Sequence, residues 1–298
     1  MRAFVLGASG LIGSAVSDEL LAHGHAVAAL ARSDASADGL RQKGVDIVPG
    51  DLRNPQAWAS VVEEVDAVIH VAATFTDDMG SVDREVLRAL IDAARTCPGP
   101  VRFVYTGGCW LFGETGDRVA TEDTPYNPIP AFAWMVDNWA LLSKAPCFDS
   151  LLVHPGMVYH RDGGAISGFL EDAREHRPIE IWGSAETRWP VVHRRDLASA
   201  CRRVVEGGQT GSSYCVASEV GVSVGAIAGA IAQRFGVMDA PVVLDRDDVL
   251  AREGDWAAGP MLDQRMQGDR IRQTLGWKPA VTNILLHIGQ SDIDAKED

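Results

Sequence analysis

Short apolar runs alternate with longer amphipathic stretches through the first half of the chain. Residues 11–23 and 82–96 place apolar side chains every three or four positions, which is typical of helices. Between and around them lie short, mainly apolar runs that predict buried strands, at residues 2–6, 25–30, 45–48, 66–73 and 101–105. Strands that alternate with helices in this way predict an α/β fold with a doubly wound parallel sheet.

A glycine-rich turn joins the first predicted strand to the first predicted helix. Gly7 allows a tight turn, Gly10 lets a pyrophosphate approach the backbone, and Gly13 lets the helix lie close to the strand. The free N–H groups at the start of the helix then face the phosphates. The spacing is GxxGxxG and not GxGxxG, but strand, turn and helix together predict a dinucleotide site. The expected contacts are Gly7, Ser9, Gly10, Leu11, Ile12 and Gly13.

The end of the second predicted strand bears on the choice of cofactor. A carboxylate there holds the ribose 2′-hydroxyl of NAD, whereas an arginine accommodates the 2′-phosphate of NADP. Here Ala31 is followed by Arg32 and Ser33, a guanidinium and a hydroxyl that suit a phosphate. Asp34 is a contrary sign, and Arg32 has an alternative reading as a solvated loop residue. We expect NADP(H).

The next two strands end in residues that suit the rest of a nucleotide. Asp51 is placed to meet the adenine amino group and Leu52 its face, although such a tripeptide also reads as a turn and a helix cap. The small residues that end the fourth strand leave room for the nucleotide. The expected contacts there are Val71, Ala72 and Ala73.

Composition narrows the function classes. The 298 residues carry a net charge of −14, and a nucleic-acid-binding protein needs a basic face, so that role is not expected. The five cysteines include no CxxC pair, which predicts reduced thiols and no metal site. Residues 2–6 read as a strand and not as a leader, and residues 291–298 as a solvated tail. No run is long enough to span a membrane, and we expect a cytoplasmic monomer or homodimer.

Several motifs together resemble one family. They are GASGLIG, GDL, HVAA, FVYTGG, HPGMVY, WPVVHRRDLA and LGWKP, in that order. The set is similar to the extended branch of the short-chain dehydrogenase/reductase family. The resemblance implies a Rossmann-type NADP-binding domain over residues 1–158 and a smaller C-terminal α/β substrate domain over 159–298, with chain crossovers between the two. It also implies that His154, Pro155, Gly156, Met157 and Val158 pass beside the nicotinamide.

The family's catalytic residues are missing. That family uses a Ser or Thr at the end of strand five and a YxxxK helix, in which the tyrosine donates the proton. The serine position is occupied by Gly108, next to Gly107. No tyrosine lies between Asn127 and Val158, and no lysine stands four residues after Tyr126. The standard acid is therefore absent in any register.

The remaining candidates are aromatic side chains and two polar groups. Trp110 and Trp134 hold positions that face the cofactor in the family, which predicts a wide, flat, apolar pocket for an aromatic ligand. The expected substrate contacts are Thr74, Gly108, Trp110, Trp134, Tyr159 and Trp189, although the tryptophans and Tyr159 also read as core. Thr106 and His193 are the catalytic candidates. Thr106 has an alternative role as a strand-end cap, and His193 a structural one.

These features favour an NADPH-dependent ketoreductase whose proton comes from the substrate. A phenol or enol beside the ketone supplies the acid, as in the aromatic polyketide ketoreductases of angucyclinone biosynthesis, which the chain resembles in lacking the tyrosine. The expected partner is an aromatic or polycyclic ketone. Two alternatives stay open, namely an NADP-binding redox sensor that regulates a partner protein, and a lyase, cyclase or epimerase on the same scaffold.

Overall fold

The computed structural model describes residues 1–161 and 163–290, and the predicted tail lies outside them. The strands are β1 (Arg2–Leu6), β2 (Ala26–Ala31), β3 (Asp46–Pro49), β4 (Ala67–His70), β5 (Val101–Thr106), β6 (Phe148–Pro155), β7 (Met157–His160), β8 (Gly163–Gly164), β9 (Glu180–Trp182), β10 (Arg188–His193), β11 (Ser213–Val216), β12 (Glu219–Ser223) and β13 (Val242–Leu244).

The α-helices are α1 (Leu11–Ala22), α2 (Asp34–Gln42), α3 (Met79–Ala94), α4 (Trp134–Leu142), α5 (Ser167–Arg174), α6 (Arg194–Gly207), α7 (Val224–Phe235), α8 (Arg246–Glu253), α9 (Asp269–Leu275) and α10 (Ile284–Gln290). Short 3-10 helices occupy Pro55–Ala57, Ala59–Glu64, Cys109–Phe112, Pro130–Phe132 and Asp255–Ala258. Of the helices in the described part of the chain, none is both long and apolar enough to cross a membrane.

The main sheet confirms the predicted doubly wound α/β fold. Within the described residues it has seven strands in the order β11-β6-β5-β4-β1-β2-β3, and every pair is parallel. Because such a sheet is covered on both faces, its strands are mainly apolar. Helices α1, α2 and α6 cover one face, and α3, α4 and the 3-10 segment before β4 cover the other.

The chain enters a second layer at β7. Strands β12, β10, β7 and β8 form a smaller sheet, and β13 pairs with β9. Helices α5, α7 and α10 pack with these strands around a separate apolar core. We call this unit the cover, defined as residues 157–193 and 217–290.

The chain returns to the main sheet between the two stretches of the cover. Helix α6 packs in the core beside α1, and β11 pairs with β6 at the edge of the main sheet. Residues 194–216 therefore connect the two stretches of the cover by way of the main sheet. Within the cover, Gly163 and Gly164 pair with β7, and α5 begins at Ser167.

Candidate functional site

The three glycines of the first turn differ in what surrounds them. A Cβ on Gly7, whose φ is +89°, would lie 2.9 Å from the Ala72 backbone, and a Cβ on Gly13 would lie 2.0 Å from the Gly7 carbonyl oxygen. Both positions exclude a side chain. A Cβ on Gly10 would meet only the Gly7 oxygen, at 3.3 Å. Gly10 is therefore less crowded than the other two glycines, although a side chain there would still require the Gly7 carbonyl to shift slightly.

Helix α1 begins with unsatisfied donors. Its N-cap, Gly10, has no side chain to accept their hydrogen bonds, and the first turn has no acidic residue. Ser9 and Gly10 are exposed, while Leu11 and Ile12 are half-buried. The free N–H groups and the positive end of the helix dipole suit an anionic diphosphate. The turn therefore fits the pyrophosphate of a dinucleotide.

At the end of β2, Arg32 is exposed and Ala31 is buried. The Ser33 hydroxyl accepts a hydrogen bond from the Ser36 N–H at 3.3 Å and so caps α2. Asp34 lies in the first turn of that helix, where a carboxylate interacts favourably with the helix dipole. The guanidinium of Arg32 is thus placed to meet an anion, and the contrary sign at Asp34 has a structural explanation.

The turn after β3 is rigid. Asp51 Oδ1 accepts the Arg53 N–H at 2.9 Å, and the Trp58 indole N–H donates to the Asp51 carbonyl at 2.8 Å. Leu52 beside it is half-buried. The second carboxylate oxygen of Asp51 takes no part in this hydrogen bond. Asp51 and Leu52 stay the predicted contacts of the adenine.

The loop that follows β4 lies beside the glycine turn. Val71 donates its N–H to the Leu6 carbonyl at 3.1 Å, and Ala72 comes close enough to exclude a side chain at Gly7. Ala73 is exposed, and Thr74 Oγ1 lies 2.9 Å from Thr76 Oγ1. These residues therefore line the same edge of the sheet as the turn.

The junction between β6 and β7 connects the main sheet to the cover. A Cβ on Gly156 would lie 2.6 Å from the Pro190 carbonyl oxygen, which explains the glycine. Pro155 and Met157 are buried, and Val158 is half-buried. The structure thus gives this segment a packing role beside its predicted contact with the nicotinamide.

Two glycines at the end of β5 have opposite surroundings. A Cβ on Gly107 would lie 2.7 Å from Nδ1 of the His154 ring, whereas a Cβ on Gly108 would have open space within 4 Å. Just before them, the Thr106 hydroxyl is buried and has no hydrogen-bond partner among the described residues. An unpaired buried hydroxyl is costly, which makes Thr106 a good candidate to bind a ligand oxygen.

His154 begins the HPGMVY motif, and the sequence predicted only that it passes beside the nicotinamide. It is fully buried on β6, and its Nε2 lies 3.1 Å from the hydroxyl of Tyr126. Burial lowers the pKa of His154 to about 4 and raises that of Tyr126 to about 12, so both are neutral at pH 7. The sequence signal for the buried His154 ring was Gly107, because the ring leaves no space for a side chain at that position.

All four tyrosines of the sequence are accounted for. Tyr105 donates to Asp83 Oδ2 at 2.7 Å, Tyr126 pairs with His154, and Tyr214 accepts the Gln209 N–H at 3.1 Å. Tyr159 is 1% exposed. Burial raises the pKa of Tyr105 and Tyr159 well above the usual range. Helix α4, in the position of the family's catalytic helix, has neither tyrosine nor lysine.

Trp110 and Trp134 do not form an open wall. The Trp110 ring lies 5.0 Å from that of Phe132, and a Cβ on Gly259 would approach it to 2.6 Å. The loop over residues 254–264 therefore presses on Trp110. The Trp134 ring fills the space beside Gly80, and its indole N–H donates to the Ala131 carbonyl at 3.0 Å. Both tryptophans are half-buried, and the wide, flat pocket expected beside them stays a prediction.

Trp189 and Tyr159 belong to the core of the cover. Trp189 is 5% exposed, stacks on Phe169 with the rings nearly parallel at 5.9 Å, and donates to the Pro260 carbonyl at 2.8 Å. Tyr159 lies against His193, with ring centroids 5.4 Å apart. Both side chains pack inside the cover, and their role as substrate contacts stays a prediction.

His193 lies in a cluster of rings away from the end of β5. Its ring centroid is 5.5 Å from that of His160 and 5.1 Å from that of His287. Burial, helped by these imidazoles and by Arg194 and Arg195, lowers the pKa of His193 to about 3. A neutral, enclosed imidazole is a poor proton donor, so these surroundings favour a packing role, and the catalytic role of His193 stays a prediction.

A network of hydrogen bonds among buried polar side chains reaches the loop after β4. Asp83 on α3 accepts hydrogen bonds from Tyr105 and from Asn138 on α4, both at 2.7 Å, and lies 2.9 Å from the His70 ring. His70 Nδ1 in turn accepts the Ala72 N–H at 3.3 Å. Sequence reasoning missed this network, whose signal was an aspartate at an apolar position of a helix. It ties α3 and α4 to the loop after β4.

The cover contains neutralised arginines. Arg188 donates to Asp263 at 2.8 Å and to Asp117 at 2.9 Å, and Arg252 pairs with Glu180 at 2.9 Å.

No cluster of three or more metal-ligating side chains occurs within residues 1–161 and 163–290.

Comparisons with known proteins agree with this geometry. The sequence model of the NAD dependent epimerase/dehydratase family matches residues 3–217. A decarboxylating sterol-4-alpha-carboxylate 3-dehydrogenase of Dictyostelium discoideum is 32% identical over 69% of this chain and 67% of its own. An uncharacterized protein of Schizosaccharomyces pombe is 28% identical over 96% and 97%. The structure of UDP-glucose 4-epimerase from Thermotoga maritima, in a complex with UDP-glucose, superposes with a TM-score of 0.80 at 17% identity, over 97% of both chains.

Proposed function

The chain belongs to the NAD dependent epimerase/dehydratase family, and from this premise we propose that it is an NADPH-dependent ketoreductase. Its substrate is a ketone of an aromatic or polycyclic compound. The proton comes from a phenol or enol of the substrate and not from a tyrosine of the enzyme.

The choice of NADPH rests on the end of β2. Arg32 is exposed next to buried Ala31, and Asp34 is part of α2 and not of the strand end. A guanidinium binds a phosphate through charge-assisted hydrogen bonds, and a carboxylate at this position would repel it. The cofactor, when bound, supplies a hydride.

One observation carries the proposal for the proton. Three of the four tyrosine hydroxyls pair with other groups, the fourth is enclosed in the cover, and α4 offers neither Tyr nor Lys. When the hydride adds to the carbonyl carbon, the C=O double bond opens and the oxygen needs a proton. An adjacent phenol can supply it, because well-oriented intramolecular groups reach effective molarities of about 10⁵ M or more.

The chain's own residues then hold the carbonyl. The unpaired Thr106 hydroxyl is the group at the end of β5 that is suited to orient the oxygen, and the open space at Gly108 admits the substrate. Neither group loses a proton in the reaction. The loop over residues 254–264 must move from Trp110 to admit a large ring system.

The charges of the cover argue against a sugar nucleotide as the substrate. A nucleoside diphosphate needs free cationic groups, whereas Arg188 and Arg252 are engaged by carboxylates. The relationship to a sterol dehydrogenase favours a polycyclic compound.

Family membership favours one other candidate, an epimerase or dehydratase that regenerates its cofactor in each cycle. Such an enzyme consumes no NADPH overall. Stoichiometric loss of NADPH absorbance with a ketone therefore separates the two. Cofactor binding without turnover of any carbonyl compound would instead favour a redox sensor.

The proposal is tested with a pair of aryl ketones that differ in one methyl group. We expect reduction of the ketone with an adjacent free phenol. The methyl ether should react at least about 10²-fold more slowly, since a positioned general acid typically contributes 10²–10⁴-fold. The ether's affinity is measured first by a binding titration, so that a steric clash is not mistaken for loss of the acid. Equal turnover of both bound ketones would assign the proton to the protein or to water.

A further inference from the structure

Two residues other than glycine have a positive φ in the described part of the chain, Phe75 and His176, both at +52°. His176 has an ordinary structural reason, because it ends α5 and its N–H donates to the Ala173 carbonyl at 3.1 Å. Left-handed residues are common at such helix ends. Phe75 ends no helix and lies in the loop between β4 and α3. A bulky residue in this conformation is strained, so the position calls for another explanation.

The Phe75 side chain is also 85% exposed. It therefore gains almost none of the free energy that burial of a phenyl ring provides. Folding gains nothing from the strain or from the exposed ring. A residue whose backbone is strained and whose apolar side chain is exposed, with no structural reason for either, is a candidate for ligand binding.

The loop around Phe75 is braced. Thr76 Oγ1 lies 2.9 Å from Thr74 Oγ1 and 2.6 Å from Asp78 Oδ1. Arg53 donates to Thr76 and to Asp78, at 3.0 Å each. These hydrogen bonds hold the pKa of Asp78 well below its usual range, so the pair with Arg53 stays charged at pH 7. Because both neighbours of Phe75 are held, the ring is presented to solvent from a defined backbone.

The position of the loop indicates what the ring meets. Three residues before Phe75, the Ala72 backbone lies against the glycine turn. Five residues after it, Gly80 lies against the Trp134 ring, two residues from Phe132, which contacts Trp110. The exposed ring thus stands on a loop that runs from the predicted pyrophosphate site to a row of aromatic side chains.

We propose that Phe75 is a stacking contact for a planar ring of a ligand bound at this edge of the main sheet. Two sources of such a ring meet there, the base or nicotinamide of the dinucleotide and the aromatic ring of the substrate. A phenyl ring attracts both through the same offset or edge-to-face contacts. Only the substrate source rests on the proposed function.

The test uses binding titrations, which do not require turnover. NADPH is titrated against the free protein, and 1,8-dihydroxyanthraquinone against the protein saturated with NADP⁺. Phe75→Gly relieves the strain and removes the ring, while Phe75→Leu keeps an apolar side chain. His176→Gly relieves the same φ at the helix end and is the matched control. Phe75→Tyr restores an aromatic ring.

Loss of a stacked ring typically weakens binding by about 10-fold or more. We expect this loss in Phe75→Gly and Phe75→Leu, recovery in Phe75→Tyr and no change in His176→Gly, with no fall in Tm for either glycine variant. A loss confined to NADPH assigns the ring to the cofactor, and one confined to the anthraquinone assigns it to the substrate. Unchanged affinity for both ligands in a folded Phe75→Gly protein, or full affinity in Phe75→Leu, would overturn the proposal.

If no ketone is reduced but Phe75→Gly weakens NADPH binding, the proposed function fails and this inference stands. If ketones are reduced and neither affinity changes, the reverse holds.

Discussion

The glycine turn at residues 7–13 and the strand end at residues 106–113 lie at the same edge of the main sheet, and each pairs a crowded glycine with a less crowded one. In the first, a Cβ on Gly13 would lie 2.0 Å from the Gly7 carbonyl oxygen, whereas a Cβ on Gly10 would lie 3.3 Å from it. In the second, Gly107 is crowded by His154 and Gly108 is open. The crowding group is backbone in one case and a side chain from another strand in the other.

This difference distinguishes the predicted cofactor-binding turn from the predicted site of proton transfer. The turn acts through N–H groups, which any sequence with this backbone supplies. The strand end acts through side chains, and here they have been replaced by glycine, an unpaired threonine and a His154–Tyr126 pair. We infer that a scaffold of this kind keeps its cofactor site while its proton donor changes.

The largest expected effect contrasts the two kinds of glycine within the turn. Gly10→Val should abolish NADPH binding and leave the circular dichroism spectrum unchanged, because its side chain points to the proposed phosphate site. Gly13→Val should disrupt the fold, since a Cβ there would lie 2.0 Å from the Gly7 oxygen. Retained NADPH affinity in Gly10→Val would mean that the phosphates bind elsewhere.

A smaller effect is expected at the end of β2. Arg32→Ala should weaken NADPH binding about 10- to 100-fold, the equivalent of one charge-assisted hydrogen bond, and leave NADH nearly unchanged. Isothermal titration with both cofactors makes the comparison. Equal losses for both would remove Arg32 from the 2′-phosphate site.

The smallest effect on turnover is expected in the cover. His193→Phe should still reduce the ketone, because the ring at this position packs and donates no proton. Abolished reduction with intact substrate and NADPH binding would make His193 the acid.

The same residue should also affect how the free energy of unfolding depends on pH. In the folded protein its pKa is lowered from 6.5 to about 3, so the unfolded chain takes up the proton first as the pH falls. The contribution of His193 to stability is therefore complete above about pH 6.5 and is lost progressively from there toward pH 3. Urea unfolding at pH 7 and pH 5 should show a smaller loss in His193→Phe than in the parent protein. An equal loss in both would assign the pH dependence to other groups.

Much of the main sheet was predictable because each element depends on nearby residues. The strands from β1 to β5 follow from short apolar runs, and α1 and α3 from a regular apolar spacing. The turn was predictable because glycine has few roles between a strand and a helix. The missing acid was visible for the same local reason, since YxxxK is a contiguous motif.

The surroundings of the aromatic residues were not predictable in this way. The local sequence around Trp110, Trp189 and Tyr159 does not distinguish a residue that lines a pocket from one that fills a core. Their burial depends on the loop at residues 254–264 and on Phe169 and His193, which are distant in the sequence. The need for glycine at position 107 likewise depends on a ring 47 residues away.

Local sequence was enough for the alternation of strands and helices, the glycine turn and the absence of the usual acid, because backbone conformation and hydrophobic periodicity are set among near neighbours. Tertiary structure decided the contact of the 254–264 loop with Trp110, the burial of His193 and the strained, exposed position of Phe75. Burial and the pKa of a buried group depend on every element that packs around a side chain, and these elements meet only in the folded chain.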